Sequence, residues 1–307
     1  MKYPKLAFLT LPYSRLELPG WGKLLKKAGV FDDQLWKYAP NRTIRGKWHD
    51  YLMTLELSNW SERQTYFLAR YYDLSTQLFI RKTVKPGDTF IDIGANIGMI
   101  ALLAASCVGK EGKVYAFEPN PEAYKKLRNN IVTNNIEQLN SYRCGLGEKE
   151  TVLTLTVVTE HTGMGTMGQI PEKDLSLISN CYQVPVHRGD DVLPKILSES
   201  TFIKIDVEGF EPYVIAGLPS TISELKPTIV MEIIPEYLER AKSSMKEVCN
   251  MMVSYGYEGF LLGSKRVGIH HSLKLQKVSS YENMKGNYVW IHSNSNILNR
   301  LTKEELS

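Results

Sequence analysis

The sequence has few cysteines and no long hydrophobic run. Four cysteines occur among its 307 residues, and none of them forms a C-x-x-C pair: Cys107, Cys144, Cys181 and Cys249. Scattered thiols of this kind fit a cytosolic protein and give no zinc site. The apolar residues from Leu6 to Leu11 are too few to span a membrane and stop at Pro12. We therefore predict neither a signal peptide nor a membrane anchor.

Internal repeats and low-complexity tracts are also missing. With 43% hydrophobic and 23% charged residues, the chain has the composition of a soluble globular protein. Its length allows one large domain or two modest ones, each with a proper core.

Negative charge is scarce near the start of the chain. Residues 1–49 hold ten Lys or Arg against three acidic residues, a net +7, whereas the whole chain carries +4. We predict a basic N-terminal extension over residues 1–50, with little regular structure before a helix near Trp21–Ala28. It is either a solvated arm or a contact for a membrane surface, a phosphate-bearing partner or nucleic acid. The predicted location is cytoplasmic, with peripheral membrane contact left open.

Residues 89–98 predict a strand that ends in a tight glycine turn and leads directly into a helix. The strand is an apolar run broken only by Asp92, which is typical of a buried parallel strand. The turn runs from Gly94 to Gly98, and such turns bring backbone N–H groups close to a nucleotide. Asn96 occupies the second glycine position of the dinucleotide fingerprint, which argues against NAD.

An acid also follows the second predicted strand, at residues 113–117. This strand ends in Glu118, Pro119 and Asn120, about 20 residues past the glycine turn, where an acid hydrogen-bonds the ribose hydroxyls of an adenosine cofactor. S-adenosylmethionine carries no phosphate, but it presents an ammonium and a carboxylate. Asp92 and the free N–H groups of the turn can meet those two charges. We therefore predict S-adenosylmethionine as the cofactor.

The remaining elements are predicted from shorter patterns. The third strand is expected at Asn140–Cys144, and the loop at Gly145 and Leu146 is expected beside the adenine. A glycine-interrupted loop, Thr162–Gly168, is either a lid or a plain surface connection. Helices are predicted at 61–80, with Ser61 as its N-cap and either continuous or broken at 73–75, at 121–134 and at 236–254. Further strands are predicted at 151–158, 183–187, 202–209, 228–232, 257–262 and 288–291, with residues 263–287 joining the last two.

Three acids stand at the carboxyl ends of two neighbouring predicted strands. Asp206 and Glu208 stand at the carboxyl end of the fourth strand, and Glu232 ends the fifth. Ligands of open α/β sheets bind at this edge. One interpretation is that these carboxylates face an organic ligand. A second is that they bind Mg²⁺ as hard oxygen ligands. For Glu232, a third is that the carboxylate is simply solvated.

The motifs, taken together and in order, resemble the FkbM-type S-adenosylmethionine-dependent methyltransferases. They are IDIGANIG at 91–98, YAFEPNP at 115–121, GLGE at 145–148 and IKIDVEGFEP at 203–212. The resemblance implies an α/β class I methyltransferase, Rossmann-like fold whose seven-stranded sheet is mostly parallel with an antiparallel last strand. It also implies O-methylation of a hydroxyl on a sugar, glycan or secondary metabolite.

This resemblance covers roughly residues 51–291. We therefore divide the chain into the basic extension, a lead-in strand and helices at 51–88, a methyltransferase domain at 89–292 and a tail at 293–307. The sequence departs from the family near the expected acceptor site, at Gly163–Met167 and at His187–Gly189. Acceptor identity is therefore the least transferable inference.

Methyl transfer to an alcohol needs a group that removes the hydroxyl proton as the new bond forms. Asp206 is the first candidate for that base, or for contact with the methionine end of the cofactor, and Glu208 is the second. His161 and His187 are alternatives. Nucleic-acid methylation is a competing function, but Val207-Glu208-Gly209 replaces the Pro-Pro-aromatic turn that clamps a base. A non-catalytic cofactor-binding module is the third hypothesis.

Overall fold

The computed structural model describes residues 3–158, 165–194, 200–268, 270–281 and 284–306. Its helices are α1 Leu11–Arg15, α2 Trp21–Lys27, α3 Asp33–Trp36, α4 Trp60–Leu68, α5 Leu74–Thr83, α6 Met99–Val108, α7 Pro121–Thr133, α8 Gly189–Val192, α9 Glu211–Ala216, α10 Pro235–Arg240 and α11 Met245–Ser254. Short 3₁₀ segments lie at Lys5–Thr10, Glu172–Leu177 and Ile297–Arg300, and a π-helical turn lies at Thr221–Leu225. No helix among these residues is both long enough and apolar enough to cross a bilayer.

The strands form three sheets. They are β1 Asn41–Arg45, β2 Leu52–Glu56, β3 Thr89–Ile93, β4 Lys113–Phe117, β5 Leu139–Tyr142, β6 Gly145–Gly147, β7 Thr151–Val158, β8 Gly165–Thr166, β9 Ile178–Arg188, β10 Thr201–Ile205, β11 Thr228–Ile233, β12 Tyr257–Val267, β13 His270–Lys277 and β14 Gly286–His292. The largest sheet has the order β13-β12-β14-β11-β10-β3-β4-β5.

This sheet confirms the predicted class I methyltransferase fold. Strands β3, β4, β5, β10 and β11 pair in parallel, and β14 runs antiparallel to both β11 and β12. One correction concerns residues 263–287, which we expected to be only a connection. They extend β12 and add β13 at the sheet edge, so the described sheet has eight strands instead of seven.

A second sheet, with the order β6-β9-β7-β8, stands beside the first. The expected strand at 151–158 is confirmed as β7, and the one at 183–187 is the second half of β9. The third strand of the main sheet ends at Tyr142, two residues earlier than predicted. The chain then leaves that sheet and enters the second one, where Gly145 and Leu146 pair with β9.

The segment 61–80 is broken at residues 69–73, earlier than the predicted break at 73–75, and the single helix predicted for 236–254 is wrong. The first segment is two helices, because Ala69 adopts a left-handed conformation with φ of 54°. The N-caps are Asn59 and Asp73, whose side chains accept backbone N–H bonds of the first turns, whereas Ser61 is a donor to Asn59. The second segment is α10 and α11, and Ser244 caps the latter.

Residues 3–50 are more ordered than predicted. They include the 3₁₀ segment, α1, α2, α3 and β1, which together form an N-terminal layer, and the expectation of little structure before Trp21 is wrong. The predicted boundary at residue 50 lies inside a hairpin, since Arg45 pairs with Leu52 and Asn41 with Glu56 across β1 and β2. Each helix of the layer has two turns or fewer, which is too short to show a hydrophobic period in the sequence.

Buried side chains attach this layer to the methyltransferase domain. Trp36 is fully buried in the same apolar cluster as Phe67 and Phe90. Glu17 is also buried, and Arg70 donates to its carboxylate from Nη2 at 2.6 Å and from Nε at 2.9 Å. Burial alone would raise the pKa of Glu17, but Arg70 and Lys47 outweigh it and lower that pKa to about 2. The carboxylate therefore remains charged and fixes the layer in place.

Candidate active site

A cavity of about 320 Å³ opens at the carboxyl ends of β3, β4, β10 and β11. This is the edge at which ligands of open α/β sheets bind. The second sheet contributes Gly145 and Leu146 to its wall, and α4 contributes Trp60 and Thr65 from the opposite side. The wall includes Gly94, Asn96, Glu118, Asp206 and Glu208 from the predicted site, and β11 adds Glu232. The predicted residues Asp92 and Gly98 are not part of the wall.

The conformation of the turn after β3 requires glycine at positions 94 and 98. Gly94 has φ of 79°, and a Cβ at this position would lie 1.9 Å from the carbonyl oxygen of Asp206. Gly98 has φ of 94°, and its Cβ would meet Leu127 at 2.6 Å. Asn96 also adopts a left-handed φ of 50°, which asparagine tolerates better than most residues. The backbone is thereby folded tightly along the cavity wall.

Glu118 joins the second strand to that turn. Its Oε2 accepts the backbone N–H of Asn96 at 2.7 Å, and its Oε1 accepts that of Asn120 at 2.8 Å. Burial raises its pKa to about 7, although the two N–H groups act in the opposite direction. The carboxyl lines the cavity together with Pro119. Glu118 thus shapes the turn as well as lining the cavity. The sequence predicted only a contact with the cofactor ribose, which stays a prediction.

Asp92 lies beneath the cavity instead of on its wall. It is fully buried, and burial raises its pKa. The side chain above it is Lys204, whose Nζ lies 3.5 Å from Asp92 Oδ1. The predicted direct contact between Asp92 and the methionine end of the cofactor therefore has no support from its position. Its carboxylate balances the lysine.

Lys204 is the main site residue that sequence reasoning missed. Its Nζ lies 3.0 Å from Asp206 Oδ2 and donates to the carbonyl of Gly94 at 3.1 Å. Burial alone would lower the pKa of Lys204, but Asp206 and Asp92 outweigh it and raise that pKa. The sequence shows only a lysine inside the otherwise mainly apolar strand β10. The structure then places Lys204 opposite Asp92 of β3. Among the described residues that line the cavity, Lys204 is the only basic one.

Three carboxyl groups, including the Asp206 partner of Lys204, lie close together in the cavity. One oxygen from each of Asp206, Glu208 and Glu232 lies within 4.8 Å of the others. Burial and the neighbouring Asp206 raise the pKa of Glu232 to about 8, and the same two causes raise the pKa of Glu208. Like charges this close cannot all ionise in a partly dry site. The cluster therefore holds a proton near neutral pH, or takes up a cation.

The turn after β10 holds this cluster in place. Glu208 has a left-handed φ of 54° and is followed by Gly209, whose φ is 102°. A Cβ on Gly209 would lie 2.1 Å from the carbonyl oxygen of Tyr237. Glu211 accepts the backbone N–H groups of Val207 and Gly209 at 3.2 and 3.3 Å. This acid is therefore used for the loop and not for the cavity.

Aromatic side chains close the cavity next to the acids. Tyr71 and Tyr72 line it, with ring centroids 4.4 Å apart, and Trp60 packs 4.9 Å from Tyr72. Phe67 and Phe79 in the neighbouring helices are fully buried core residues, whereas Tyr71 and Tyr72 lie in the turn between α4 and α5.

Of the two histidine alternatives, only His187 lies among the described residues. His187 lies on β9, 3.8 Å from Glu150, and is not in the cavity wall. His161 lies outside the described residues, as do residues 162–164 of the predicted lid. The end of that loop is described, and its Gly165 and Met167 contribute to the cavity wall.

Part of the sequence is similar to known methyltransferases. A sequence profile described as the methyltransferase FkbM domain matches residues 92–258. Methyltransferase 1 of Beauveria bassiana (strain ARSEF 2860) is 30% identical over 164 residues, which is 48% of this chain and 66% of that protein. Methyltransferase sdnD of Sordaria araneosa is 28% identical over 176 residues, 48% of this chain and 67% of that protein. The match thus spans about two thirds of the length of each relative.

A similar solved structure is that of the methyltransferase FkbM from Methylobacillus flagellatus KT. It aligns with 77% of this chain and 54% of its own, at 15% sequence identity and a TM-score of 0.42.

Proposed function

The chain belongs to the FkbM methyltransferase family, and from that premise we propose that it is an O-methyltransferase. It transfers the methyl group of S-adenosylmethionine to a hydroxyl of a sugar, glycan or other small metabolite. The observation that supports this proposal is that one cavity is lined both by Glu118 with the glycine turn and by the carboxyl cluster that includes Glu208. The bond from sulfur to the methyl carbon breaks, the bond from the acceptor oxygen forms, and S-adenosylhomocysteine leaves.

The cofactor end of the cavity is assigned to the glycine turn and the end of β4. Glu118 accepts the ribose hydroxyls, and the turn from Gly94 through Asn96 to Gly98 runs beside the methionine portion. Pro119, Asn120, Gly145 and Leu146 border the adenine. Such fixed contacts accelerate an in-line displacement mainly by placing the two reacting atoms at the right distance and angle.

The acceptor end is assigned to the acids and aromatics. Asp206 is ion-paired with Lys204. We therefore assign Asp206 to binding the ammonium group at the methionine end of the cofactor. Glu208 then removes the hydroxyl proton, assisted by Glu232. A carboxylate with a raised pKa is a better proton acceptor near neutral pH than an ordinary one. The tyrosine and tryptophan rings offer apolar faces against which a sugar ring can pack.

Mg²⁺ at the three carboxylates is the alternative way to activate the hydroxyl, since hard oxygen ligands suit this ion. Lys204 already supplies one positive charge beside Asp206, and we therefore favour proton acceptance by the acids alone. The two mechanisms separate experimentally. Turnover that survives exhaustive treatment with a chelator supports the carboxylate mechanism, whereas turnover restored only by added Mg²⁺ supports the metal.

We further propose a cytoplasmic location. All four cysteines are free, and Cys107 and Cys144 have pKa values raised by burial. Buried thiols of this kind are compatible with a reducing compartment.

Calorimetric titration followed by a transfer assay tests the function. S-adenosylhomocysteine should bind and NAD should not, and labelled methyl groups should reach a hydroxyl of at least one member of a sugar and polyol panel. Glu208→Gln should retain cofactor binding and lose most turnover, whereas Asp206→Asn should weaken cofactor binding as well. Cofactor binding without transfer to any acceptor would favour the non-catalytic module, and transfer to oligonucleotides would favour a nucleic-acid methyltransferase.

A further inference from the structure

The N-terminal layer exposes an unusual share of large apolar side chains. Six of the fourteen large hydrophobic side chains that the described residues expose lie between positions 6 and 38: Leu6, Leu9, Leu16, Phe31, Leu35 and Tyr38. Leu6 and Leu9 are 79% and 77% exposed. Single exposed apolar residues are normal on protein surfaces, but a concentration in one short segment marks an interaction site.

These side chains point outward from a layer whose inner side is packed. In the 3₁₀ segment, Leu6 and Leu9 are three residues apart and therefore share one face, while Ala7 is buried. Phe8 packs 5.9 Å from the ring of Trp36, which places this segment beside α3. Trp36 is fully buried, whereas its neighbour Leu35 is 46% exposed. The two segments thus share a core side and leave leucines on the outside.

Exposed lysines occur in the same layer. Residues 23–27 form most of α2, in which Leu25 is fully buried and the lysines at 23, 26 and 27 are exposed. Lys5 and Lys37 are exposed on the 3₁₀ segment and just after α3. A surface with both apolar and basic residues combines the two attractions that hold peripheral proteins on membranes with anionic lipids.

We infer that the outer side of the N-terminal layer, residues 5–38, docks on an anionic lipid surface. Leu6 and Leu9 enter the boundary between headgroups and acyl chains, and the lysines of α2 contact the headgroups. Nucleic acid fits less well, because phosphate contacts do not need exposed leucines. A second copy of this chain also fits less well, because the two basic surfaces would repel each other.

The docked side and the cavity share one helix. On α4, Tyr66 and Phe67 pack against Phe8 of the N-terminal layer at 5.7 and 5.8 Å, whereas Trp60 and Thr65 line the cavity. Docking would therefore hold the cavity close to the lipid surface.

Vesicle flotation with the full chain tests the inference. We expect binding to phosphatidylcholine vesicles that contain roughly 30% phosphatidylserine, and much weaker binding to phosphatidylcholine alone. The double variant Leu6→Ser/Leu9→Ser should lower the partition coefficient at least tenfold, since each leucine contributes roughly a tenfold effect. Changing Lys23, Lys26 and Lys27 to Gln should lower it roughly a hundredfold, at about fivefold per lysine.

Matched control variants separate this surface from general effects. Val132→Ser/Val152→Ser removes two side chains that are each 62% exposed elsewhere, and it should leave partitioning unchanged. Changing the exposed Lys110, Lys125 and Lys149 to Gln should have a much smaller effect than the α2 variant. Unchanged affinity for S-adenosylhomocysteine verifies that every variant is folded.

Three results would overturn the inference. One is an absence of binding to the anionic vesicles. Another is vesicle binding that the leucine variant leaves intact. Vesicle binding that oligonucleotides displace to an extent set only by their charge would count in the same way. The third is a concentration-dependent dimer that is lost in the leucine variant and shows no affinity for vesicles.

Discussion

The ionisation of Glu118 should make cofactor binding depend on pH. In the free protein, burial raises the pKa of this carboxyl from 4.5 to about 7. Ribose hydroxyls that donate to it would stabilise the ionised form and return the pKa towards its ordinary value. One pKa unit corresponds to about 1.4 kcal/mol, so the complete return would strengthen binding by roughly 3 kcal/mol above pH 7 relative to acid. Between about pH 5.5 and about pH 7.5, the affinity should rise at least roughly tenfold.

Calorimetry of S-adenosylhomocysteine binding measures this effect. At about pH 6, repeating the titration in buffers with different ionisation enthalpies should show that close to one proton is released per complex. Glu118→Gln keeps the shape of the side chain and removes its charge, so its affinity should be lower and should lose most of this pH dependence. A wild-type affinity that stays constant across this range, or a pH dependence that the glutamine variant retains, would refute the assignment of Glu118 to the ribose.

Three further predictions concern charges and backbone around the site. Lys204→Met should destabilise the protein by roughly 3–5 kcal/mol in urea unfolding, because it leaves the buried Asp92 without its cation, and unchanged stability would contradict the pairing. Gly94→Ala should abolish measurable cofactor binding, since its Cβ would lie 1.9 Å from the Asp206 carbonyl oxygen; wild-type affinity would show that the turn can adjust. Because the pKa of Glu17 is lowered to about 2, its stabilising effect should be complete above pH 4.5 and be lost as the pH falls towards 2; Glu17→Gln should flatten that part of the acid unfolding curve.

Much of the fold was predictable because buried parallel strands produce local signals. Residues 89–93 and 201–205 are apolar runs that end in glycine-containing turns, and both form central strands. The N-terminal layer gave no such signal. Its helices are short, and the contacts that order it, such as Glu17 with Arg70, join residues that are 53 positions apart. Strand β13 was missed for a related reason: it is an edge strand with mainly polar side chains.

The site residues also fall into those that the sequence predicts and those that only the structure reveals. Glu118 and the turn at Gly94 follow from residue type and spacing, and the cavity contains both. Lys204 was visible in the sequence, yet its role depends on lying opposite Asp92 in the neighbouring strand, and register between parallel strands is not contained in local sequence. The same limit led us to place Asp92 in contact with the cofactor. The sequence of β3 does not show that Lys204 of the neighbouring strand β10 lies opposite Asp92.

Charge balance in the cavity links cofactor binding to activation of the base. Glu232, with a pKa of about 8, retains its proton at neutral pH. S-adenosylmethionine carries a sulfonium that S-adenosylhomocysteine lacks, and a positive charge nearby lowers the pKa of a carboxyl. At about pH 7, S-adenosylmethionine should therefore release more protons on binding than its demethylated product, and Glu232→Gln should remove most of that difference. Equal proton release for both ligands would mean that the carboxyl cluster lies too far from the transferred methyl group to act as its base.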